Sequence, residues 1–487
     1  MRRLSAVFYA VNGVGAGHVT RLLAVARWMR RYAALLGVQL DAVFLTTSEA
    51  DRLAFDAGFP SFKLPSKTLV KACGMDPLAY RALAKQWVWH TLALLRPEIF
   101  VVDTFPRGSF GELGPALDLV TSKAFVYRAT QREVAAQPDF QATLPLYDLI
   151  VVPREPGDAP LVPEGARDRV LEVGPIVSVE RFELTPRDLA RDALGLPRDG
   201  RAALVTAGGG SDRSVDLAAV ARELVARGHH VVIGAGPLHR GPAVVAPGVV
   251  FSREPGLGAH LLAFDGALAA AGYNTFHELA LAGVPAVLVP QPRLADDQAA
   301  RARSGPPGLF VVAPDGATPA ELAGLVAALP SPRPTATRSH ARDVAAELLR
   351  LALSPAEVDR AAATLDDEAL AARPAGDERD WISLLAQVAR GRALDPSIVA
   401  RAAGLAGASL ADTAALAKAL LWRRGGGPRE RLSWLEASLP HARALGCVDD
   451  VVRLIHRVAG QRGAAAVPAA LAEWAARGAS AREALAE

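Results

Sequence analysis

Between Met1 and Ala352 short apolar runs alternate with helical patterns, and the alternation restarts once near Arg201. Ala6–Val11, Leu40–Thr46, Ile99–Asp103, Ala124–Tyr127 and Leu149–Val152 read as strands, with helices such as Thr20–Leu36 and Tyr80–Leu95 between them. After the restart, Ala202–Ala207, His230–Gly234, Val249–Ser252, Gly266–Ala270, Ala286–Val289 and Leu309–Val312 continue the strand pattern. Ser214–Arg227 reads as a helix with Gly228 just past its end, where a left-handed residue is wanted. Strand–helix alternation of this kind predicts parallel sheets covered by helices on both faces. The expectation is therefore two α/β domains, 1–184 and 185–352. Arg154–Gly165 and Thr185–Gly200, rich in proline, glycine and charge, read as a loop and an interdomain connection. From Ser354 the strand signal stops, and five helical segments between Trp381 and Ala475 predict an all-α extension over 353–487.

Composition removes several classes of function. Half of the 487 residues are apolar, so large cores are available and wholesale disorder is excluded. The net charge is only +3, and arginines are mixed with acids along the helices. There is no basic stripe with interleaved aromatics, so nucleic acid is not an expected partner. Cys73 and Cys447 lack CxxC spacing, which argues against a disulfide framework or a cysteine zinc site and fits a reducing compartment. The apolar run at the N-terminus passes straight into a glycine loop and reads as a buried strand rather than a secretory signal. No apolar run approaches the ~18 residues of a membrane span, so the expected location is cytoplasmic. Trp28 and Met29 with Arg21, Arg27, Arg30 and Arg31 suggest a basic amphipathic helix. Membrane-surface contact there is the lesser reading, and a packed helix with a solvated arginine face is the preferred one.

Four stretches carry chemistry. GVGAGH, Gly13–His18, follows a strand and opens a helix, where glycines such as Gly15 and Gly17 let a ligand approach the backbone. A dinucleotide fingerprint fits poorly, because His18 stands at its third glycine and no acid ends the second strand. His18 can accept a proton near neutrality, its ordinary pKa being about 6.5. Asp103 ends another strand and could orient His18, as a carboxylate orients a catalytic imidazole, or could cap a helix near Gly108–Leu113. Arg107 nearby could bind an anionic acceptor or pair with Glu112. GGGSD, with Gly208, Gly209, Gly210 and Ser211, suits a diphosphate, though Ser211 or Asp212 could serve only as a helix cap.

The most informative stretch is Gly272–Ala302, in which two polar loops are separated by one helix and one strand. Such loops can hold the two ends of a nucleotide-linked sugar. Gly272, Asn274 and Thr275 leave room for phosphate at a helix start. Glu278 could accept both ribose hydroxyls, or reach back to Thr275 in a capping box. Asp297 and Gln298 could bind sugar hydroxyls or cap the next helix. His277 and His229-His230 show no metal-ligand spacing.

On these residues Met1–Ala352 resembles the GT-B glycosyltransferases, most closely the branch of the peptidoglycan N-acetylglucosaminyltransferase and its bacterial relatives. The stretches VNGVGAGHVTRLLAVARWM, LVTAGGGSD and AAAGYNTFHELALAGVPAVLVPQPRLADDQAARA carry the likeness. The resemblance implies two facing Rossmann-like domains, with an acceptor on the first and a nucleotide sugar, commonly of uridine diphosphate, on the second. It implies Gly208–Ser211 and Gly272–Thr275 beside the diphosphate, Glu278 on the ribose, and Asp297 and Gln298 on the sugar. His18 with Asp103 resembles the base pair of related natural-product glucosyltransferases. Asp297-Gln298 replaces the adjacent glutamines of the peptidoglycan enzyme, and DTFPRGSFGEL differs from its acceptor loop, so sugar and acceptor stay open. The expected activity is a metal-independent, inverting transfer with the nucleotide sugar as co-substrate and no further cofactor. The alternatives are an epimerase or hydrolase of nucleotide sugars, and a silent binding protein whose helical tail recruits a protein partner.

Overall fold

The structure, a computed structural model, describes residues 2–11, 15–128, 132–155, 160–206, 215–236, 238–239, 241–292 and 296–364, with Ala466 and Ala469. Gly208, Gly209, Gly210 and Ser211 lie outside the described residues, as do the helical segments expected between Trp381 and Val458. The chain divides into two compact units. One comprises Leu4–Ala26 and Asp41–Ala352; the other comprises Met1–Arg3, Arg27–Leu40 and Leu353–Glu487. In the latter the described part of the tail is helical, over Pro355–Thr364, and Arg31 stacks on Trp28 at 4.9 Å.

Two sheets carry the fold. The first contains β1 (Arg3–Ala10), β2 (Gln39–Thr46), β3 (Ser61–Lys63), β4 (Ile99–Asp103), β5 (Ser122–Val126), β6 (Leu149–Pro153) and β7 (Val170–Val173), in the order β3-β2-β1-β4-β5-β6-β7. The second contains β8 (Arg201–Thr206), β9 (His229–Gly234), β10 (Val249–Ser252), β11 (Gly266–Ala269), β12 (Ala286–Leu288) and β13 (Phe310–Val312), in the order β10-β9-β8-β11-β12-β13. The pairings β1–β4, β4–β5, β5–β6 and β6–β7, and β9–β8, β8–β11, β11–β12 and β12–β13, are parallel. Both orders reverse direction at the first strand of the sheet, as in doubly wound Rossmann-like folds. The two-sheet α/β architecture expected of a GT-B chain is thus present.

The apolar runs follow from burial on both faces. In β8, Ala202 and Leu204 join one core cluster, while Ala203 and Val205 join another on the opposite face. A strand covered twice has no solvent side, so its sequence cannot alternate. The edge strands β3 and β7 are short and partly exposed, and the sequence pattern missed them.

Three expectations need correction. Thr185–Gly200 is not only a connection: it holds the helix Arg187–Leu194, ended by Gly195 at φ 67°. Its Arg191 is fully buried and bonds the carbonyls of Ala263, Pro197, Arg198 and Gly200 and the Asp265 carboxylate. The helix Gly17–Leu35 shows no solvated arginine face, because Arg21, Trp28, Met29 and Arg31 are all buried and Arg27 and Arg30 are half-buried. Finally, no helix forms at Gly108–Leu113; a 3-10 turn follows at Gly114–Leu119, so Asp103 caps nothing there. No helix among the described residues is long and apolar enough to cross a membrane.

Candidate functional site

β1 and β4 lie side by side with Ala10 opposite Asp103, so both chains leave the sheet at the point where the strand order reverses. Open α/β sheets bind ligands there, beyond the carboxyl ends of the strands. The helix that follows β1 begins at Gly17 and puts His18 in its first turn. His18 Nδ1 stands 2.7 Å from Asp103 Oδ1. Arg21, one turn further along, donates from Nε to Asp103 Oδ2 at 2.8 Å and from Nη2 to Oδ1 at 2.7 Å. The Thr104 hydroxyl also donates to Asp103 Oδ1. Thr104 adopts φ 64°, a left-handed conformation costly for a β-branched residue.

The short His18–Asp103 contact requires a proton between the two, so Nδ1 carries hydrogen and donates. Nε2 is then the nitrogen able to accept a proton. Arg21 Nη2 also lies 3.3 Å from His18 Nδ1, a contact between two donors that Asp103 between them makes tolerable. Burial pushes the Asp103 carboxyl up, but the Arg21 charge and the hydrogen bonds from His18 and Arg21 outweigh it and hold it well below the usual range. Burial lowers the pKa of His18, and this outweighs the opposite pull of Asp103. His18 is therefore a neutral imidazole at pH 7.

The second half supplies the Tyr273–Ala282 helix after β11, with Gly272 as its N-cap. Its first residue, Tyr273, is buried, and three guanidinium groups surround the ring: Arg21 at 5.1 Å, Arg128 at 5.5 Å and Arg301 at 5.7 Å. Arg301 forks onto Glu155, with Nη2 to Oε2 at 2.7 Å, and also bonds the Ala271 carbonyl and Asp296. Arg128, just past β5, pairs with Asp296. His277 Nε2 lies 3.0 Å from Glu155 Oε1. Burial raises the Glu155 carboxyl, and its bonds to Arg301 and His277 more than reverse this, leaving it well below the carboxylate range. The chain thus runs from His18 and Asp103 through Arg21 and Tyr273 to Arg301, Glu155 and His277 without a break.

Of the residues singled out in the second half, Gln298 lies against the helix start. A side chain built on Gly272 would come 4.0 Å from its Nε2. The Gln298 carbonyl oxygen accepts from the Gln291 amide at 3.0 Å. Asp297 is exposed and is the N-cap of the helix Gln298–Arg303, accepting from the Ala300 amide at 2.9 Å. Asn274 and Thr275 are half-buried in the first turn after Gly272. The capping box between Thr275 and Glu278 is not formed, because the helix starts at Tyr273 and Glu278 falls in its second turn. Glu278 instead accepts a hydrogen bond from the Ser178 hydroxyl and packs on Gly258. Burial pushes its carboxyl up to about 7, only partly offset by Ser178.

In the first half, Gly17 has open space where a side chain would stand, and Gly15 takes φ 104°. Arg107 pairs with the exposed Asp139 and not with Glu112. Glu112 is buried and accepts from the Tyr9 hydroxyl and from the amides of Ser109 and Phe110. An open cleft lined by Glu49, Arg52, Asp56, Arg253 and Glu254 contains none of the singled-out residues. Sequence reasoning missed Arg21's role, Tyr273, Arg128, Glu155, Asp296 and Arg301, and took His277 as ordinary. The neighbourhood of Tyr273 to Gly272 and Asn274, and of Asp296 to Asp297-Gln298, could have pointed to two of them.

No protein-family model matches the chain, and no curated protein matches it in sequence. Solved structures similar to it include the glycotransferase of kitacinnamycin, 17% identical over 74% of this chain and 96% of that one, with a TM-score of 0.47. The calicheamicin glycosyltransferase CalG4 is 19% identical over 77% and 100%, with a TM-score of 0.45. MurG of Acinetobacter baumannii is 16% identical over 74% and 98%, with a TM-score of 0.41. Overlap this low leaves function to be read from the residues themselves.

Proposed function

We propose that the chain is an inverting glycosyltransferase that moves a sugar from a nucleotide donor, expected to carry uridine diphosphate, to an acceptor hydroxyl. The observation that supports this most directly is the His18 imidazole, oriented by Asp103 at the reversal point of the first sheet and joined through Arg21 to the helix start at Gly272. His18 Nε2 takes the acceptor proton, the oxygen attacks the anomeric carbon, and the diphosphate leaves from the opposite face. The N-terminus of the Tyr273–Ala282 helix and the Gly208–Ser211 loop receive the departing charge, so the reading calls for no metal ion. Glu278 holds the ribose, and Asp297 and Gln298 hold the sugar. Asp297 keeps a free carboxylate oxygen for this while it caps its helix. The reading takes a cytoplasmic setting, with domains at 1–184 and 185–352 and a tail over 353–487 that recruits a protein partner.

A thermal-shift screen against nucleotide sugars tests the donor half. A ligand at a hundred times its Kd stabilises the native state by about 2.7 kcal/mol. No shift with any nucleotide sugar at millimolar concentration would overturn the reading. Turnover of the identified donor then tests the base: His18→Ala should lose about a hundredfold or more in kcat. Donor binding with no transfer, unchanged by His18→Ala, would instead mark a silent binding protein.

A second reading, nucleotide-sugar epimerisation or hydrolysis, needs further carboxylates, and Glu155 and Asp296 are the observation in its favour. Both are held in ion pairs by Arg301 and Arg128, which makes them poor proton carriers. Donor turnover without any acceptor would favour this reading.

A further inference from the structure

Tyr273 is more than an anion-binding helix start requires. Backbone amides alone can face a diphosphate there, yet this chain sets a large aromatic side chain directly after the N-cap Gly272 and buries it. The ring is fixed in place. Its hydroxyl accepts from the Ile176 amide at 3.0 Å. Ile176 lies between β7 and the helix Arg187–Leu194, in a segment that is itself tied down. There the His340 amide donates to the Pro175 carbonyl at 2.9 Å, and the Val177 amide donates to the Ser339 hydroxyl oxygen at 3.1 Å. One turn along its own helix, the His277 ring meets the Tyr273 ring edge-on, 4.5 Å between centroids. Burial pushes the Tyr273 hydroxyl up to about 12, so it keeps its proton near neutrality.

Around this fixed ring stand Arg21, Arg128 and Arg301. Like charges so close oppose one another. Burial lowers the pKa of Arg128, and the Arg21 and Arg301 charges lower it further. The negative face of an aromatic ring attracts a cation within about 6 Å, so the ring gives all three a common partner. Arg301 is anchored elsewhere as well, by Glu155 and the Ala271 carbonyl, and Arg128 by Asp296. Arg21, nearest the ring at 5.1 Å, commits its guanidinium to Asp103, with a longer contact to the Thr104 hydroxyl at 3.3 Å. Asp103 is the carboxylate that orients His18.

We propose that Tyr273 is a positioning residue for the base: its ring holds the Arg21 guanidinium where it forks onto Asp103, and through Asp103 it fixes the His18 imidazole. This rests on the reading of His18 as the base. Because Tyr273 also opens the helix assigned to the diphosphate, one side chain aligns the donor end of the site with the partner of the base. Without the ring, Arg21 leaves the fork and Asp103 turns its whole charge on His18. The charged groups that face His18 are Asp103, Arg21 and Arg128. Loosening Arg21 weakens the repulsion and strengthens the attraction, and both raise the His18 pKa.

The test starts from Tyr273→Met, which keeps much of the volume and removes the aromatic face. With the donor identified by thermal shift, kcat at high pH should fall about tenfold or more. KM for the donor should change by less than about twofold, because the backbone rather than the ring faces the diphosphate. The acid limb of kcat/KM should move up by about half a pH unit. Tyr273→Phe keeps the ring and should recover most of both effects. Ring-fluorinated phenylalanine at position 273 keeps the shape and drains negative charge from the face. A limb that climbs with fluorination therefore isolates the cation contact, even where Tyr273→Met fails to fold. Added to Arg21→Met, Tyr273→Met should move the limb no further, since both act through one guanidinium. A limb unmoved by Tyr273→Met and by fluorination, or moved equally with and without Arg21, would overturn the proposal and leave the ring a packing role. NMR titration of His18 in the donor-free chain, assigned with His18→Ala, reads the same movement without turnover. If the native chain transfers no sugar, the glycosyltransferase reading falls, and this titration still decides whether Tyr273 sets Arg21.

Discussion

Arg21 governs how Asp103 and His18 work together. It takes both oxygens of the carboxylate, so Asp103 orients the imidazole while most of its charge is already balanced. Burial then keeps His18 neutral. Activity should therefore rise with pH through a limb below the ordinary histidine value and be flat at neutrality. Arg21→Met removes a cation that lowers the His18 pKa and releases the Asp103 charge toward it. The limb of the kcat/KM profile should move to higher pH, and an unmoved limb would show that the three groups are not coupled. Removing one partner of a buried pair should also cost about 3–5 kcal/mol, so the profile is best measured well below the melting temperature. Glu278 gives the second prediction at this scale. Its folded pKa of about 7 lies above the ordinary 4.5. The folded state therefore holds the proton more tightly, and this stability is fully present below pH 4.5 and lost as pH rises through 7. Native stability should fall by on the order of 2 kcal/mol over that window. Glu278→Gln should flatten the dependence, and urea denaturation from pH 4 to about 8 reads both curves. Equal slopes in the two proteins would remove Glu278 as the source.

The Tyr273–Ala282 helix shows what local sequence could and could not say. The spacing of Thr275 and Glu278 marked a helix start nearby but placed it three residues late. Burial of the Tyr273 ring among three guanidinium groups extends the helix back to Gly272, and no local pattern encodes that. The interior strand β4 was legible to the residue because two-sided burial demands an unbroken apolar run. The edge strands β3 and β7 were not, since an edge needs neither length nor an apolar face. The helix Arg187–Leu194 was hidden by the prolines and glycines around it, and its anchor Arg191 looks in sequence like any surface arginine. At the other end of the Tyr273–Ala282 helix, Gly283 adopts φ 72°, and a side chain there would stand 1.8 Å from the Arg333 carbonyl oxygen. That carbonyl belongs to the segment whose Arg333 amide donates to Gly283 at 3.0 Å, so it cannot move aside cheaply. Gly283→Ala should destabilise by more than about 2 kcal/mol, combining left-handed strain with a backbone clash. Gly316→Ala, with φ 73° and no atom within 4 Å, isolates the strain alone and should cost about 1 kcal/mol. Similar urea midpoints for the two variants would mean that the Arg333 segment yields.

The two sheets were each readable from the sequence, but the ion pairs that join them were not. Arg301 meets Glu155 across 146 positions, and Arg128 meets Asp296 across 168. No spacing rule reaches so far; only the folding of both halves brings the partners together. Every cation in this chain of contacts has a carboxylate, which is the condition for burying so much charge. Arg301 is the member with most to lose, since it serves Glu155, Asp296 and the Ala271 carbonyl at once. Arg301→Ala would leave Glu155 buried with only His277 beside it, and His277 is itself held neutral by burial. The expected loss is about 3–5 kcal/mol. Because the pairs bridge the halves, part of that loss should appear as lost cooperativity, with calorimetry resolving one transition in the native chain into two in Arg301→Ala. Glu155→Gln added to Arg301→Ala removes the stranded charge and should recover part of the stability, which an additive pair of effects would not do. Salt should move these values little, because the groups are shielded from solvent ions. A single transition in Arg301→Ala, lowered by less than 1 kcal/mol or about the worth of a surface pair, would show that the halves are held together by packing alone.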